Sequence, residues 1–511
     1  MIALLLCAAA WAGAPGDGAP PEAQAAPVQP VSSEAGGLTF IGQFESKSTA
    51  TNLASTNPFL DGLVIGQMGA PTGVVPDRST LGLSTEERVT GLFRYAPKAL
   101  GGKIGLNAAF EVAFTWGDSA WSVGGNTGGG IGGRNVNLQT RRLYADFRPS
   151  KGHFDAHVLA GLQFLGDSVN DPTAGGPDTV LRSGGRLMFF GTEAAGVTVY
   201  GRLHDAWGDR FRFRLGSYTL IEQGVALPDD AWLSVADAQI APTYLTTVGL
   251  HAWYLQDRTG GGAGVLGSGP TSALSTLQGG AHIDPYGGLA PPQDAQLYAD
   301  LGWLGVDAAY DPSLTGGRVG VSGVAIFNLG RIYAPIAHDD TVAGTLLDAE
   351  VRARIAEGRG SLVKVEGLFS SGDSDRTPYT YTGVVTGNSY GVAGAIYASH
   401  GMLLLFPDPH AVNRLVSVVS DVGAGGKGVV AATATAGLDL VPNKLNTTVG
   451  LGHAVDRAGE SYGTEVNAKV VWTPMVACDI GAYAATVFVG PASGLSADPW
   501  TAYLAVDLLV F

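Results

Sequence analysis

Arg210, Arg212 and Arg214 alternate with Phe211, Phe213 and Leu215. On a β-strand alternate side chains share a face, so the three guanidiniums stand in one row, about 6.8 Å apart, with the apolar side chains on the other face. Upstream, Arg142, Tyr144 and Arg148, and then Arg202, occupy polar faces of alternating segments in the same way. Residues 134–214 hold eleven Lys and Arg against eight Asp and Glu, a local positive excess in a chain whose formal net charge is −15. Such a wall attracts anions or acidic saccharides. The same residues also suit a wall of compensating pairs, with Asp146, Asp155, Asp205 or Asp209 neutralising the arginines across strands. In both cases the chemistry is electrostatic, not catalytic.

Other chemistry-bearing patterns fail on context. Gly387-Asn388-Ser389-Tyr390-Gly391 fits the spacing of a nucleophile elbow, but a β-like run, GVAGAIYAS, follows where a helix is needed. Gly128–Gly133 fits a dinucleotide-binding spacing, yet Asn135–Phe147 reads as a strand, so no helix N-terminus is there to hold a phosphate. Asp373-Ser374-Asp375 lacks the remaining ligands of a calcium loop. His153 and His157 lie about 13 Å apart on a strand, too far to share a metal. No catalytic residue, metal site or cofactor is expected, and the chain is not expected to be an enzyme.

The elements that must position the arginines are long strands. In 103–116, KIGLNAAFEVAFTW, the residues Ile104, Leu106, Ala108, Phe110, Val112, Phe114 and Trp116 share one face, while Lys103, Asn107, Glu111 and Thr115 share the other. No amphipathic helix gives that register. The pattern recurs in 143–148, 154–164, 297–303, 348–355 and 465–472. Runs near ten residues suit a membrane-crossing strand better than a globular one. Phe110, Val112, Phe114 and Trp116 should face lipid, and Asn107, Glu111 and Thr115 the lumen, because a charge in hydrocarbon is costly. Lys98–Gly102 and Pro149–Gly152 read as short turns; Asp118–Arg134, Asp167–Gly185, Thr259–Asp294 and Gly372–Tyr379 read as long polar loops. In the hairpin 347–369, symmetry about Arg359 would set Arg352 opposite Glu366 and Arg354 opposite Lys364. The expected fold is all-β: a single closed antiparallel transmembrane β-barrel of 16 to 18 strands, with short periplasmic turns and long extracellular loops.

Composition agrees with this. Gly is 76 of 511 residues and charged residues are 15%, while hydrophobic residues reach 45%. The acidic balance excludes a generally basic nucleic-acid binder. With only Cys7 and Cys478, a disulfide scaffold or a cysteine zinc site is excluded. Met1–Ala12 is apolar but too short to span a bilayer, and reads as the hydrophobic part of a secretory signal. The expected organisation is a signal peptide over 1–25, a flexible linker over 26–37 and a barrel over 38–511.

RRLYADF (141–147) followed by LAGLQFLGDS (159–168), LVKVEGLFSSGDSD (362–375), and GTEVNAKVVWTPMVACDIGAYAATVFVG (463–490) resemble strand pairs of the alginate-export and porin-like outer-membrane barrels. The last strand, WTAYLAVDLLVF, resembles the C-terminal signal of bacterial outer-membrane barrels, with Phe511, Leu509, Ala505 and Tyr503 in the apolar row and Asp507 breaking it. The resemblance implies passive passage of anionic or saccharide solutes. The expected function is therefore an outer-membrane channel for hydrophilic solutes or an exported polysaccharide. Its lumen residues would be Arg142, Tyr144, Arg148, Arg202, Arg210, Arg212 and Arg214. The alternative is a docking barrel that anchors an envelope or surface machine and is not an open pore. The expected partners are outer-membrane lipid and a hydrophilic or anionic solute or saccharide; a homo-oligomer or a periplasmic partner stays open.

Overall fold

The computed structural model describes residues 37–55, 64–69, 74–97, 103–117, 136–151, 154–165, 190–203, 210–221, 230–258, 298–333, 339–373, 379–385, 387–388, 400–412, 414–419 and 422–510. The signal and linker assignments, most of the long loops, the Gly128–Gly133 motif, Ser389–Gly391 and Phe511 lie outside them.

Eighteen long strands form one closed antiparallel ring. In chain order they are β1 (Gly37–Thr51), β2 (Gly82–Ala96), β3 (Ile104–Gly117), β4 (Val136–Phe147), β5 (Phe154–Leu165), β6 (Phe190–Leu203), β7 (Phe211–Ile221), β8 (Ala231–Ile240), β9 (Thr246–Asp257), β10 (Tyr298–Tyr310), β11 (Val319–Tyr333), β12 (Asp340–Arg354), β13 (Leu362–Ser370), β14 (Val430–Val441), β15 (Leu445–Val455), β16 (Ser461–Met475), β17 (Cys478–Val489) and β18 (Trp500–Val510). Each strand pairs with the next, and β18 closes on β1 from Gly42↔Val510 to Thr51↔Thr501. Closure leaves the ring without an edge strand. Both strands that begin and end the ring start or finish at one rim, where no connection is longer than 311–318; the opposite rim carries 52–81, 258–297 and 371–429.

The period-two reading of faces holds on most strands. On β3, Phe110 points outward and is 44% exposed, while Asn107, Glu111 and Thr115 are buried on the inner side. The side chains of Phe114 and Trp116 are outside the described set. Val351 on β12 and Val466, Val470 and Trp472 on β16 also point outward. Among the described residues the outer surface thus carries an apolar belt. Aromatic side chains flank it at the short-turn rim (Phe40, Phe93, Tyr95, Phe154, Phe213, Trp472) and at the long-loop rim (Trp232, Tyr254, Phe488).

Three expectations need correction. In the β12–β13 hairpin the register is Arg352↔Lys364 and Glu350↔Glu366, centred on Gly358 and not on Arg359. Gly358 adopts φ +95°, a conformation that glycine alone takes without strain, so the reversal sits there. Like charges then face each other directly, and neighbours on the same face compensate: Arg352 pairs with Glu350 two residues back on its own strand, and Lys364 lies 3.3 Å from Glu350 on the diagonal and 3.4 Å from Glu366 on its own strand.

On β18 the row of Tyr503, Ala505 and Asp507 faces inward, and Ala502, Leu504, Val506 and Leu508 form the outer row. Asp507 therefore does not interrupt the apolar row. It belongs to the polar one, where Gln43 Nε2 donates to its Oδ1 at 3.2 Å.

On β10 both rows are apolar. Ala299, Leu301 and Trp303 point into the barrel and are fully buried, while Leu304, Val306 and Tyr310 point outward. Asp300, on the outer face near the long-loop rim, is met by Arg258 at 2.9 Å and by the Tyr254 hydroxyl at 2.7 Å.

The reason for the buried inner row is a core inside the barrel. Parts of connections 52–81 and 371–429 fold inward. Residues 64–67 pair in parallel with 414–417, and Met68 N donates to Ser417 O at 2.8 Å. Val418 and Val419 N–H groups donate to Leu404 and Leu405 carbonyls at 2.9 and 2.8 Å. Leu405, Phe406, Val419 and Met402 of these segments pack with Leu255, Leu301, Trp303 and Leu346 of the wall in one apolar cluster.

Candidate functional site: the barrel lumen

Two arcs of the inner wall carry the polar chemistry. The first spans β4–β10 and holds the arginines singled out by their spacing. Arg142, Tyr144 and Asp146 share the inner face of β4, Thr198, Tyr200 and Arg202 that of β6, and Arg212 and Arg214 that of β7. Arg148 and Arg210 sit just beyond strand ends at the short-turn rim. The fold thus brings all seven sequence-selected residues onto one arc of four consecutive strands.

They do not form one uniform row. Arg214 is buried; its Nε donates to Asp237 Oδ2 at 2.6 Å, and its guanidinium stacks over Trp253 at 5.2 Å. Asp237 Oδ1 also accepts from Trp253 Nε1 at 2.9 Å and meets His251 Nδ1 at 2.7 Å; His251 Nε2 meets Asp307 Oδ1 at 2.7 Å. Arg214 therefore belongs to a chain of groups that ties β7 to β10. Arg148 lies 3.6 Å from Asp146, which also holds Arg94 at 3.3 Å and Asn107 at 2.7 Å. Arg142 is buried with its guanidinium over the Phe164 ring at 5.5 Å, and Tyr144 packs with Leu159 and Tyr200. Arg210 is exposed and donates to Pro242 O at 3.0 Å. Arg202 and Arg212 face each other across the β6–β7 pair, with Asp155 opposite Arg202 on its other side. Two guanidiniums in register are unfavourable unless negative charge lies between or beside them.

The second arc, β14–β18 with β1 and β2, anchors the inward segment 400–412. The Glu465 carboxylate accepts the backbone N–H groups of Leu403, Leu404 and Leu405 at 2.8, 2.9 and 2.6 Å, and Asn467 Nδ2 at 2.7 Å. Asn467 also donates to Gly401 O at 3.0 Å. Asp408 accepts from Lys47 Nζ at 2.6 Å and from the Tyr503 hydroxyl at 3.0 Å. Burial pushes the Asp408 carboxyl up, but Lys47 and the nearby His410 outweigh it and hold it below the usual carboxylate range. Arg88 donates to the carbonyls of Ala411 and Val412 at 3.3 and 2.6 Å and lies against Glu45 and Glu111. His410 packs on the Tyr483 ring at 4.6 Å, and Tyr483 stacks on Tyr503.

Across the lumen, Trp303 Nε1 donates to Val385 O at 2.8 Å, and Val385 N donates to Asn328 Oδ1 at 3.0 Å. Sequence reasoning found none of these anchors. Alternation placed Glu465 and Asn467 on the polar face, but which of hundreds of residues would meet them depends on a contact some sixty residues away in sequence. Asp373, weighed as a calcium ligand, accepts Thr382 N at 2.8 Å.

No family model and no curated relative matches the chain. Solved structures of similar arrangement include Acinetobacter baumannii OccAB4 (TM-score 0.46, 10% identity, covering 92% of this chain and 98% of that one). Pseudomonas aeruginosa OccK5 (OpdH) gives the same values. Pseudomonas aeruginosa OpdK with vanillate matches with TM-score 0.46 and 12% identity over 92% and 98% of the two chains.

Proposed function

We propose that this chain is a bacterial outer-membrane channel for small hydrophilic solutes, with a preference for anions. The observation that supports it is the basic arc of β4–β7 on the inner wall of a closed barrel whose outer wall is apolar between aromatic girdles. Arginine on the outer face near the midplane costs about 2–4 kcal/mol, so the parity of these strands sends the guanidiniums to the lumen. There, in a chain of net charge −15, they raise the local concentration of anions. Arg202 and Arg212, in register with each other, are the residues whose charge is best placed to act on a solute; Arg142, Tyr144, Arg148 and Arg210 line the same path, and Arg214 positions the wall. A compact anionic or saccharide solute fits better than an exported polysaccharide, because inward-folded segments cross the lumen. The chemistry is selection by charge and asks for no catalytic group or cofactor.

Planar-bilayer recording tests this. Steps that favour anions, with reversal potentials moving toward cation selectivity in Arg202→Gln/Arg212→Gln while the folded barrel persists, support the channel. Unchanged selectivity refutes the assignment of these two residues.

A docking barrel is the second reading, and one observation favours it: the inward segments form an apolar core with β8–β12. A correctly folded barrel that never conducts would establish it over the channel.

A further inference from the structure

At the short-turn rim, arginines stand where nearby carboxylates are already engaged. The turn 355–361 leans inward over the β14–β15 hairpin: Gly360 N donates to Asp439 Oδ2 at 3.0 Å, and Asn446 Nδ2 donates to Gly360 O at 3.1 Å. Beside this turn is a cavity of about 640 Å³ lined by Arg318, Arg354, Ala356, Glu357, Arg359 and Asn443. A second cavity of about 390 Å³ shares Arg359 and Asn443 with it and adds Lys444. The elements around both, residues 298–333, 339–373 and 422–510, are described without a break.

Among the described residues, the side chains of Arg318, Arg354 and Arg359 form no ion pair and no hydrogen bond. The acids that could have answered them have other donors. Asp311 accepts Thr315 N at 2.7 Å and Gly316 N at 2.9 Å. Asp439 holds Gly360 N and Asn446. Glu350 is held by Arg352 and Lys364, and Glu366 by Lys364. Glu357 alone brings negative charge to the larger cavity's lining. Three guanidinium forks against one carboxylate, around a space of small-molecule size, is a donor set for an anion with several acceptor oxygens.

We propose that this cavity is a binding site for a compact multivalent anion, one carrying two or more carboxylate or phosphate groups. Its lining side chains, Ala356 apart, all end in charged or amide groups, so recognition is led by charge and hydrogen bonding. The site is separate from the arc of Arg202 and Arg212, and it does not require the barrel to conduct.

The test is calorimetric titration of the purified barrel in uncharged detergent at low salt, with citrate as the probe and acetate as the monovalent comparison. Citrate should bind at one site and acetate at least about tenfold more weakly. Arg318→Gln/Arg354→Gln should weaken citrate by roughly tenfold or more, since charge-assisted bonds are removed. Arg359→Gln alone should weaken it by a few-fold, and gives the same information if the double variant does not fold. Arg78→Gln, at the opposite rim, should leave the affinity unchanged. Citrate affinity that survives the turn variants overturns the proposal, as does affinity lost only in Arg202→Gln/Arg212→Gln, which would place the anion on the other arc. Equal binding of acetate and citrate also overturns it. Failure of the channel reading would show as absent conductance and leave this titration unaffected.

Discussion

Replacing Glu465 by Gln should release the inward segment without opening the barrel. Glu465 is fully buried, and four donors converge on its two oxygens: Leu403 N and Asn467 Nδ2 on Oε1, Leu404 N and Leu405 N on Oε2. Gln has one acceptor oxygen. Whichever way the amide is turned, its NH₂ group faces two donors, and two buried N–H groups lose their acceptor. Each such orphan costs about 1–3 kcal/mol, and the two surviving bonds lose their charge assistance. The segment should therefore be loosened by roughly 2–6 kcal/mol. At 1.4 kcal/mol per factor of ten, that is an increase in local opening of about thirtyfold to twenty-thousandfold. Amide hydrogen exchange of a peptide covering 400–412 reads this directly. The β14–β15 hairpin peptide should keep its protection, because its ladder does not use Glu465's carboxylate. Exchange of 400–412 within about threefold of the parent would refute the reasoning, and so would equal loss in both peptides, which would mean the carboxylate holds the barrel and not the segment. If the channel reading is right, the released segment should also make single-channel current noisier in the same variant.

Asp408→Asn leaves Lys47 buried without its ion pair, and should cost about 3–5 kcal/mol; Lys47→Met with Asp408→Leu should cost much less, since no buried charge is stranded. Denaturant midpoints of the refolded barrel measure both. Because the Asp408 carboxyl is held below its ordinary range, its stabilising contribution is present at neutral pH and at the unfolded value near 4, and is lost as pH falls through the lower folded value. Exchange of 400–412, corrected for intrinsic rate, should thus be flat from about pH 8 to 5 and rise only below about pH 4. Arg214→Gln should destabilise the barrel by about 1–3 kcal/mol, because Asp237 Oδ2 loses its buried charged donor while Oδ1 keeps Trp253 and His251; Arg202→Gln/Arg212→Gln should keep the heat-modifiable folded band. Phe110→Arg should cost about 2–4 kcal/mol of barrel stability in lipid.

Alternation alone determined much of this protein. Where one side of a strand must meet hydrocarbon and the other water, a residue's parity fixes its side, and so Phe110 against Glu111, or Val466 against Glu465, could be assigned from spacing. The same rule gathered Arg142, Tyr144, Arg202, Arg212 and Arg214 onto one inner arc. It failed where its premise failed. On β10 both sides meet apolar surroundings, because an inward-folded core covers Ala299, Leu301 and Trp303, and no local pattern announces a cover that comes from 371–429. On β18 the aromatic ending drew the apolar row onto the wrong parity, while the acid Asp507 marked the inner one. In the β12–β13 hairpin a one-residue difference in the turn centre, set by the positive φ of Gly358, moved every cross-strand partner by two. How each arginine of the row is held was also decided only in three dimensions. Arg214 and Arg212 are two residues apart and share a face, yet Arg214 alone faces Asp237 on the neighbouring strand. Strand sides follow from local chemistry that the chain carries everywhere. The partner of a buried charge depends on register and on loops that return from far along the chain, and only the closed barrel brings those together.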